Sequence, residues 1–288
     1  MPDTFLITGG AGMLARAFKD LLTERKLPHI APPRAELDIT SVPQILSAID
    51  RVKPTVLLNC AAYTKVDLAE KEQQQVNAIN GQAVGALAEA CRLRGATLVH
   101  FSTDYVFDGS LRRPLKPDDP IGPKGAYGVS KALGERMLRE FEPARWLILR
   151  TAWLYGPGGP NFPQAMLNAA RAGKPLKVID DQIGCPTFTR DLAEATLNLL
   201  DAGASGIFHL SNSGETSWFK FAAAIFEAFG VTPTSFVPIT SEDWKQIKPD
   251  SAHRPAYSVF DVSPYEATTR KQMPDWRDGL ARYRQETA

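Results

Sequence analysis

Short apolar runs alternate with stretches of helical periodicity over about the first 150 residues of the chain. Runs of this kind are typical of strands that a parallel sheet buries on both faces. The predicted strands are Thr4–Thr8, His29–Ala31, Thr55–Asn59, Thr97–Ser102, Trp146–Arg150, Leu176–Asp180 and Gly206–Leu210. The predicted helices are 13–22, 41–49, 87–94 and 193–200. The alternation predicts an α/β fold with a doubly wound parallel sheet of the Rossmann type.

Two of the predicted helices carry end signals. Ser41 precedes a run with Pro43 in its first turn, so we expect Ser41 to be the N-cap. Gly95 directly follows the helix 87–94 and is expected to be its C-cap.

The regular alternation breaks after Tyr155, at Gly156-Pro-Gly-Gly-Pro160, and prolines and aromatics become frequent from Phe229 onward. We therefore expect two structural units. Residues 1–155 plus about 188–211 would form a dinucleotide-binding domain. The segments of about 156–187 and 212–288 would form a smaller C-terminal substrate-binding lobe.

Composition and charge narrow the class of protein. The 288 residues include 33 basic and 32 acidic side chains, a balance that indicates neither nucleic-acid nor membrane binding. The chain has no long apolar run and no secretory pattern, and the scattered Cys60, Cys91 and Cys185 suit a reducing, cytoplasmic location. The histidines lack metal-ligand spacing, so we predict no metal site. His100 and His209 lie in strand-like runs and are expected to be core or hydrogen-bonding residues.

Three sequence motifs, which follow one another along the chain, indicate a catalytic function. A glycine-rich turn, Thr8-Gly-Gly-Ala-Gly12, follows the first strand, Thr103 ends a later apolar run, and Tyr127-Gly-Val-Ser-Lys131 opens a helix. A phenol can protonate a carbonyl oxygen during hydride transfer, and a hydroxyl can hold the same oxygen. Lys131 shares a helix face with Tyr127, where its charge would lower the pKa of the phenol. Each motif alone is weak evidence for catalysis, but the three together predict a carbonyl oxidoreductase.

Seven longer stretches carry more specific motifs: Asn59–Asp67, Phe101–Gly109, Tyr127–Lys131, Arg150–Gly156, Asp181–Thr187, Arg254–Asp261 and Pro274–Leu280. With these stretches the chain resembles the extended short-chain dehydrogenase/reductases, and within them the dTDP-4-dehydrorhamnose reductase family. The runs Ser-Thr-Asp-Tyr-Val-Phe-Asp-Gly and Thr-Ala-Trp-Leu-Tyr-Gly are specific to this branch. The glycine turn and the Tyr/Lys pair are shared by the whole superfamily.

The resemblance implies reduction of the C4 ketone of dTDP-4-dehydro-L-rhamnose to dTDP-L-rhamnose, with NADPH or NADH as hydride donor. Thr103, Tyr127 and Lys131 would form the catalytic set, and Lys131 would also hold the nicotinamide ribose. The expected substrate-binding residues are Thr103, Asp104, Tyr127, Trp153 and Arg254.

Further positions are expected to bind the cofactor. Gly9 and Gly12 allow the backbone to approach the pyrophosphate at a helix N-terminus. The family's last turn glycine is Ala15 here, which is still small enough for close helix–strand packing. The other expected cofactor-binding residues are Met13, Leu14, Arg34, Asp38, Ile39, Ala61, Ala62, Tyr63, Tyr127 and Lys131.

The end of the second strand bears on cofactor preference. NAD-specific folds place a carboxylate there for the ribose 2′-hydroxyl, whereas a nearby arginine accommodates a 2′-phosphate. Here the strand is followed by Pro32-Pro33-Arg34, with no carboxylate before Glu36. We therefore predict that NADPH is used at least as well as NADH.

The residues after Thr103 distinguish a reductase from a related class of enzyme. A sugar-nucleotide 4,6-dehydratase needs an Asp-Glu pair after the catalytic threonine, but Tyr105 follows Asp104 here. Two alternatives stay open: a sister ketoreductase of another nucleotide-linked 4-keto-deoxysugar, and a non-catalytic regulatory subunit of the methionine adenosyltransferase type. The expected partner is a nucleotide sugar. A homodimer is compatible with the sequence, although no exposed apolar stripe demands one.

Overall fold

The centre of the protein is a parallel β-sheet, seen in a computed structural model that describes residues 3–287. The strands are β1 Phe5–Thr8, β2 His29–Ile30, β3 Val56–Asn59, β4 Thr97–Thr103, β5 Trp146–Thr151, β6 Leu154–Tyr155, β7 Leu176–Ile179, β8 Ile183–Gly184, β9 Thr187–Phe188, β10 Gly206–His209, β11 Thr216–Ser217 and β12 Phe236–Ile239. The helices are α1 Met13–Glu24, α2 Val42–Val52, α3 Val66–Ala69, α4 Gln73–Asn77, α5 Ala83–Arg94, α6 Ala126–Phe141, α7 Phe162–Arg171, α8 Thr189–Asp201, α9 Trp218–Phe229, α10 Ser241–Ile247, α11 Ser263–Thr269 and α12 Trp276–Thr287. None of the helices within residues 3–287 is long and apolar enough to cross a membrane.

The central sheet has six strands in the order β10-β5-β4-β3-β1-β2, and every neighbouring pair is parallel. The chain moves from β1 to β2 on one side and then to β3 on the other, so the strand order reverses between β1 and β3. Ligands of open α/β sheets bind at such a switch point, outside the carboxyl ends of the strands. The predicted doubly wound fold is confirmed.

Helices cover both faces of this sheet, which explains the continuous apolar character of its strands. On one face, Phe18 of α1 and Leu199 of α8 join the same buried cluster. On the other face, Ile45 of α2, Leu87 of α5 and Leu138 of α6 form a second cluster with the inner side of the strands.

The predicted strands of the central sheet are confirmed, with ends that differ by no more than a residue. Ser41 is the N-cap of α2 but makes no side-chain cap hydrogen bond, and the helix continues beyond the predicted end at Ile49 to Val52. Gly95 ends α5 in the left-handed region at φ 70°, as its position in the sequence predicts.

The strand predicted over Leu176–Asp180 does not belong to the central sheet. β7 is present, but it pairs with β12 in a separate two-stranded sheet, and β10 takes the edge position beside β5. Lys177 in the middle of β7 is exposed, whereas Leu176 and Val178 lie on the opposite, buried face of the strand. That face packs against aromatic residues of α9 and β12, including Phe226 and Phe236.

A buried ion pair fastens α6 to the sheet. Glu135 of α6 and Arg150 of β5 are 0% and 3% exposed, with Nε–Oε1 and Nη2–Oε2 distances of 2.9 and 2.8 Å. The Ser102 hydroxyl of β4 also donates to Glu135, and Arg150 donates to the carbonyl of Pro117. The pair lies one helical turn beyond Lys131, so it fixes the position of that lysine against β4 and β5.

Candidate active site

The glycine turn after β1 brings two segments of backbone close together. Gly9 has φ +65°, and a Cβ there would lie 2.9 Å from the backbone of Ala61, so a side chain is excluded on both grounds. Gly12 is the N-cap of α1 and contributes no capping side chain. The first amides of α1, at Met13 and Leu14, therefore lack a partner within the helix and can bind an anion.

A cavity of about 200 Å³ opens beside this turn. It is lined by Gly9, Gly12, Arg34, Leu37, Asp38, Ile39, Cys60, Ala61, Ala62 and Ile79. Arg34 reaches Asp38 from the rim, with both Nε and Nη2 3.3 Å from Oδ2. The backbone N–H and the hydroxyl of Thr40 donate to the same carboxylate and, with Arg34, hold the pKa of Asp38 below its usual value.

A second cavity of about 530 Å³ adjoins the first and shares Gly12, Cys60 and Ala62 with it. The end of β4, the first turns of α1 and α6 and the segment after β5 form its walls. The expected site residues that line it are Gly12, Met13, Leu14, Ala62, Thr103, Asp104, Tyr127, Lys131 and Trp153. The structure thus places the three expected catalytic side chains in one cavity with the glycine turn.

Tyr127 does not have the lowered pKa that we predicted. Burial and the nearby Asp104 raise the pKa of Tyr127 to about 12, and the Thr103 hydroxyl opposes this rise only in part. The ammonium of Lys131 is directed elsewhere, donating to the Phe101 carbonyl at 2.5 Å. Without a positive charge against the phenol, burial decides the direction of the pKa change.

Lys131 is itself deeply buried, at 2% exposure. Its Nζ lies 3.4 Å from His100 Nε2, while the carboxylate of Glu135 is bound to Arg150. Burial lowers the pKa of Lys131 to about 8, because its charged form has lost water.

Thr103 and Asp104 are hydrogen-bonded to one another where β4 ends. The Thr103 hydroxyl donates to Asp104 Oδ1 at 2.9 Å and accepts from the Tyr105 amide at 3.2 Å. Thr151 is the register partner of Thr103 on β5, and its buried hydroxyl has no hydrogen-bond partner within residues 3–287. The Asp104 side chain is buried, and this burial raises its pKa to about 6.

This pKa predicts a pH-dependent stability difference between the protein and its Asp104→Asn variant. Because the folded-state pKa lies above the ordinary value of 3.8, the stability linked to protonation is complete below that value and is lost as the pH rises through about 6. The difference corresponds to roughly 3 kcal/mol in the free energy of unfolding. Urea unfolding of both proteins from pH 4 to 7 measures it. A parallel pH dependence in the variant would contradict the assignment.

Trp153 follows β5 and lies between the second cavity and the C-terminal segments. It adopts φ 48°, and its indole stacks on Trp218 with a ring-centroid distance of 3.6 Å. Gly184 leaves room for this ring, since a Cβ there would lie 2.6 Å from it. Trp153 is therefore both a wall of the cavity and a packing residue.

A third cavity of about 350 Å³ lies on the other side of this aromatic stack. Its lining residues are Tyr105, Phe162, Met166, Lys177, Val178, Ile179, Gln182, Trp218, Trp244 and Arg254. Arg254 is anchored by Asp67 at 2.9 Å. Apart from Arg254, these positions were not predicted as site residues. Most of them lie on α7, β7, α9 and α10, which carry no recognisable motif and meet only in the fold.

Tyr63 lies apart from the other expected cofactor residues and lines none of the three cavities. Its hydroxyl donates to Glu72 at 2.7 Å, and its backbone exchanges hydrogen bonds with the side chain of Asn80. Its role in this structure is to fix the segment after β3.

Comparison with known proteins places this site in a family. Residues 3–288 match the family model described as the RmlD substrate binding domain. A dTDP-4-dehydrorhamnose reductase of Streptomyces griseus is 42% identical over 96% of this chain and 91% of the relative. The chain belongs to the dTDP-4-dehydrorhamnose reductase family. The resemblance inferred from the sequence motifs is thereby confirmed.

Two further matches extend the comparison. A dTDP-4-keto-6-deoxy-D-glucose reductase of Streptomyces niveus is 40% identical and covers 97% of this chain and 96% of its own length. The crystal structure of a Bacillus anthracis dTDP-4-dehydrorhamnose reductase in complex with NADP has a TM-score of 0.94 and 34% identity, covering 100% of both chains. The chain therefore shares its whole fold with a reductase that binds NADP.

Proposed function

We propose that the protein reduces the C4 ketone of dTDP-4-dehydro-L-rhamnose to dTDP-L-rhamnose and uses NADPH at least as well as NADH. The main support for this proposal is that one cavity is lined by the glycine turn and by Thr103, Tyr127 and Lys131. The names of the similar reductases and the NADP bound to one of them support it.

The residues fit a dinucleotide. The first amides of α1, which have no partner within the helix, would hold the pyrophosphate, with Gly9 leaving space for it. Arg34 and Asp38 would meet the adenosine end in the smaller cavity, and Lys131 the nicotinamide ribose in the larger one. When bound, the reduced nicotinamide supplies the hydride.

The protein's own part in the reduction is to bind the ketone oxygen and give it a proton. Thr103 turns its hydroxyl hydrogen from Asp104 toward the oxygen, and Tyr127 donates the phenolic proton as negative charge develops there. A raised pKa keeps Tyr127 protonated at neutral pH, ready for this role. The transfer remains favourable because an alkoxide is a stronger base than a phenolate.

The third cavity suits the nucleotide part of the substrate. Trp218 and Trp244 offer aromatic surface for a base, while Lys177 and Arg254 offer positive charge for a diphosphate. Trp153 lies between this cavity and the catalytic one, where the sugar would be held.

We also propose the two-unit organisation expected from the sequence. Residues 1–155 plus about 188–211 form the dinucleotide-binding domain, and about 156–187 and 212–288 the substrate-binding lobe. Two contacts support this division: β10 completes the central sheet beside β5, and α8 packs on α1.

A coupled assay tests the substrate assignment. dTDP-glucose and the upstream dehydratase would be supplied with or without the epimerase, and cofactor oxidation and the sugar product would be measured. We expect rapid turnover to dTDP-L-rhamnose only when the epimerase is present. Equal turnover without the epimerase would instead indicate a sister ketoreductase. Cofactor binding without turnover in either mixture would indicate a regulatory protein.

Arg34→Ala tests the cofactor preference. We expect kcat/KM for NADPH to fall about tenfold, because a charged hydrogen bond to the 2′-phosphate is lost, while the value for NADH changes little. Arg34→Lys is the matched control that retains the charge. Equal losses with both cofactors, or none with NADPH, would show that Arg34 does not contact the phosphate.

A further inference from the structure

Three polar side chains form a ladder across the apolar centre of the sheet. Thr8, Asn59 and His100 are register partners on β1, β3 and β4, and each is at most 1% exposed. The Thr8 hydroxyl donates to Asn59 Oδ1 at 2.7 Å, and Asn59 Nδ2 lies 3.1 Å from His100 Nδ1. The other ring nitrogen, Nε2, faces Lys131. The ladder thus ends at a side chain of the catalytic set.

The single hydrogen of the buried Thr8 hydroxyl, which needs an acceptor, sets the direction of the hydrogen bonds in this ladder. The Ala61 N–H, which can only donate, donates to Thr8 Oγ1 at 3.2 Å. The Thr8 hydrogen then points to Asn59 Oδ1, its acceptor among the described residues. Asn59 consequently presents its amide N–H to His100 Nδ1, which must be unprotonated to accept it. The neutral imidazole of His100 therefore carries its hydrogen on Nε2.

An Nε2–H group that faces Lys131 favours the amine over the ammonium. The lone pair of a neutral amine can accept from Nε2–H while an amine hydrogen donates to the Phe101 carbonyl. An ammonium has three hydrogens and no lone pair, so the imidazole hydrogen repels it. We propose that Thr8, Asn59 and His100 act as positioning residues that fix the tautomer of His100 and thereby ease the release of a proton from Lys131.

The charges around Lys131 and His100 agree with this assignment. On α6, Glu135 faces Lys131 but is bound to Arg150 of β5. Asp104 beyond β4 acts on Tyr127 at the start of α6. Burial, together with Lys131, holds the pKa of His100 well below its usual value, so the imidazole is neutral and can keep a single tautomer.

The consequence for catalysis rests on the proposed reduction. Near neutral pH a lysine whose pKa is about 8 is present partly as the neutral amine during turnover, whereas an ordinary lysine stays charged. The tautomer and the titration of Lys131 can both be measured without turnover, so they test the ladder even if the proposed substrate is wrong.

The first test needs no substitution near the ladder. Long-range ¹H–¹⁵N spectra of the wild-type protein report which nitrogen of each histidine carries the hydrogen, with His100 identified by the signals missing from His100→Gln. We expect the hydrogen of His100 on Nε2. A hydrogen on Nδ1 would overturn the proposal.

The second test removes the hydroxyl of Thr8, which lies at the opposite end of the ladder from Lys131. In Thr8→Val the amide of Asn59 is free to rotate, so His100 can donate from Nδ1 and turn an Nε2 lone pair toward the lysine. An ammonium is then favoured, and the midpoint of the Lys131 titration, followed by ¹³Cε NMR, should rise by about one pH unit. The limb of the kcat–pH profile assigned to Lys131 should move with it.

Thr8→Ser keeps the hydroxyl and is the matched control, for which we expect the wild-type tautomer and midpoint. The proposal is wrong if Thr8→Val leaves the tautomer of His100 unchanged. It is equally wrong if the tautomer switches and the Lys131 midpoint stays where it is, or if Thr8→Ser shifts that midpoint as far as Thr8→Val does.

Discussion

Tyr127→Phe is expected to lower kcat for the keto sugar by about 10²–10⁴-fold and to leave NADPH affinity nearly unchanged. The phenolic proton is needed only as the alkoxide forms, so its loss acts on the transition state rather than on cofactor binding. Steady-state kinetics and calorimetric titration with NADPH measure the two quantities separately.

Tyr155→Phe provides the matched control for this substitution. Its phenol is buried in the aromatic cluster around β6 and makes no hydrogen bond within the described residues. We expect kcat to stay close to the wild-type value. Wild-type turnover in Tyr127→Phe, or an equal loss in both variants, would exclude Tyr127 as the proton donor.

Arg150→Met is expected to reduce the free energy of unfolding by about 3–5 kcal/mol. The substitution leaves the carboxylate of Glu135, which is 0% exposed, without its partner. The Ser102 hydroxyl remains, but a single neutral donor does not compensate a buried charge. Urea unfolding measures the change.

The double variant Glu135→Leu/Arg150→Met separates the cost of an unpaired charge from the value of the ion pair. We expect it to be more stable than Arg150→Met alone, because no charge is left buried. The ion pair would not be what fastens α6 to β5 if the stability losses of Glu135→Leu and Arg150→Met simply added in the double variant. A small stability loss in Arg150→Met would lead to the same conclusion.

The central sheet was predictable because its strands carry their own signal. The runs that became β3 and β4 are mostly apolar, and both strands are buried along their whole length, as expected of strands covered on both faces. β7 has a similar composition, yet it belongs elsewhere. Its partner β12 lies about sixty residues further along the chain and contains Pro238, so no local pattern indicated the pairing.

The site was predictable to the extent that its residues belong to contiguous motifs. Thr103 and Tyr127 could be named from the sequence because they lie at the end of a strand and the start of a helix, and Lys131 because it follows Tyr127 by one helical turn. The pKa of Tyr127 could not, since spacing on a helix does not show where a lysine directs its ammonium. The ladder through Asn59 depends on strand register, which short apolar runs do not specify.

Transfer of deuterium from the cofactor to the sugar tests whether this protein reduces the C4 ketone. Wild-type protein would be incubated with the keto sugar and NADPH deuterated at the transferred C4 position of the nicotinamide, and the sugar product analysed by mass spectrometry and NMR. We expect dTDP-L-rhamnose with one deuterium at C4 of the sugar, formed at a rate that Tyr127→Phe lowers by about 10²–10⁴-fold. A protein that binds NADPH and the nucleotide sugar but leaves C4 unlabelled would contradict this expectation.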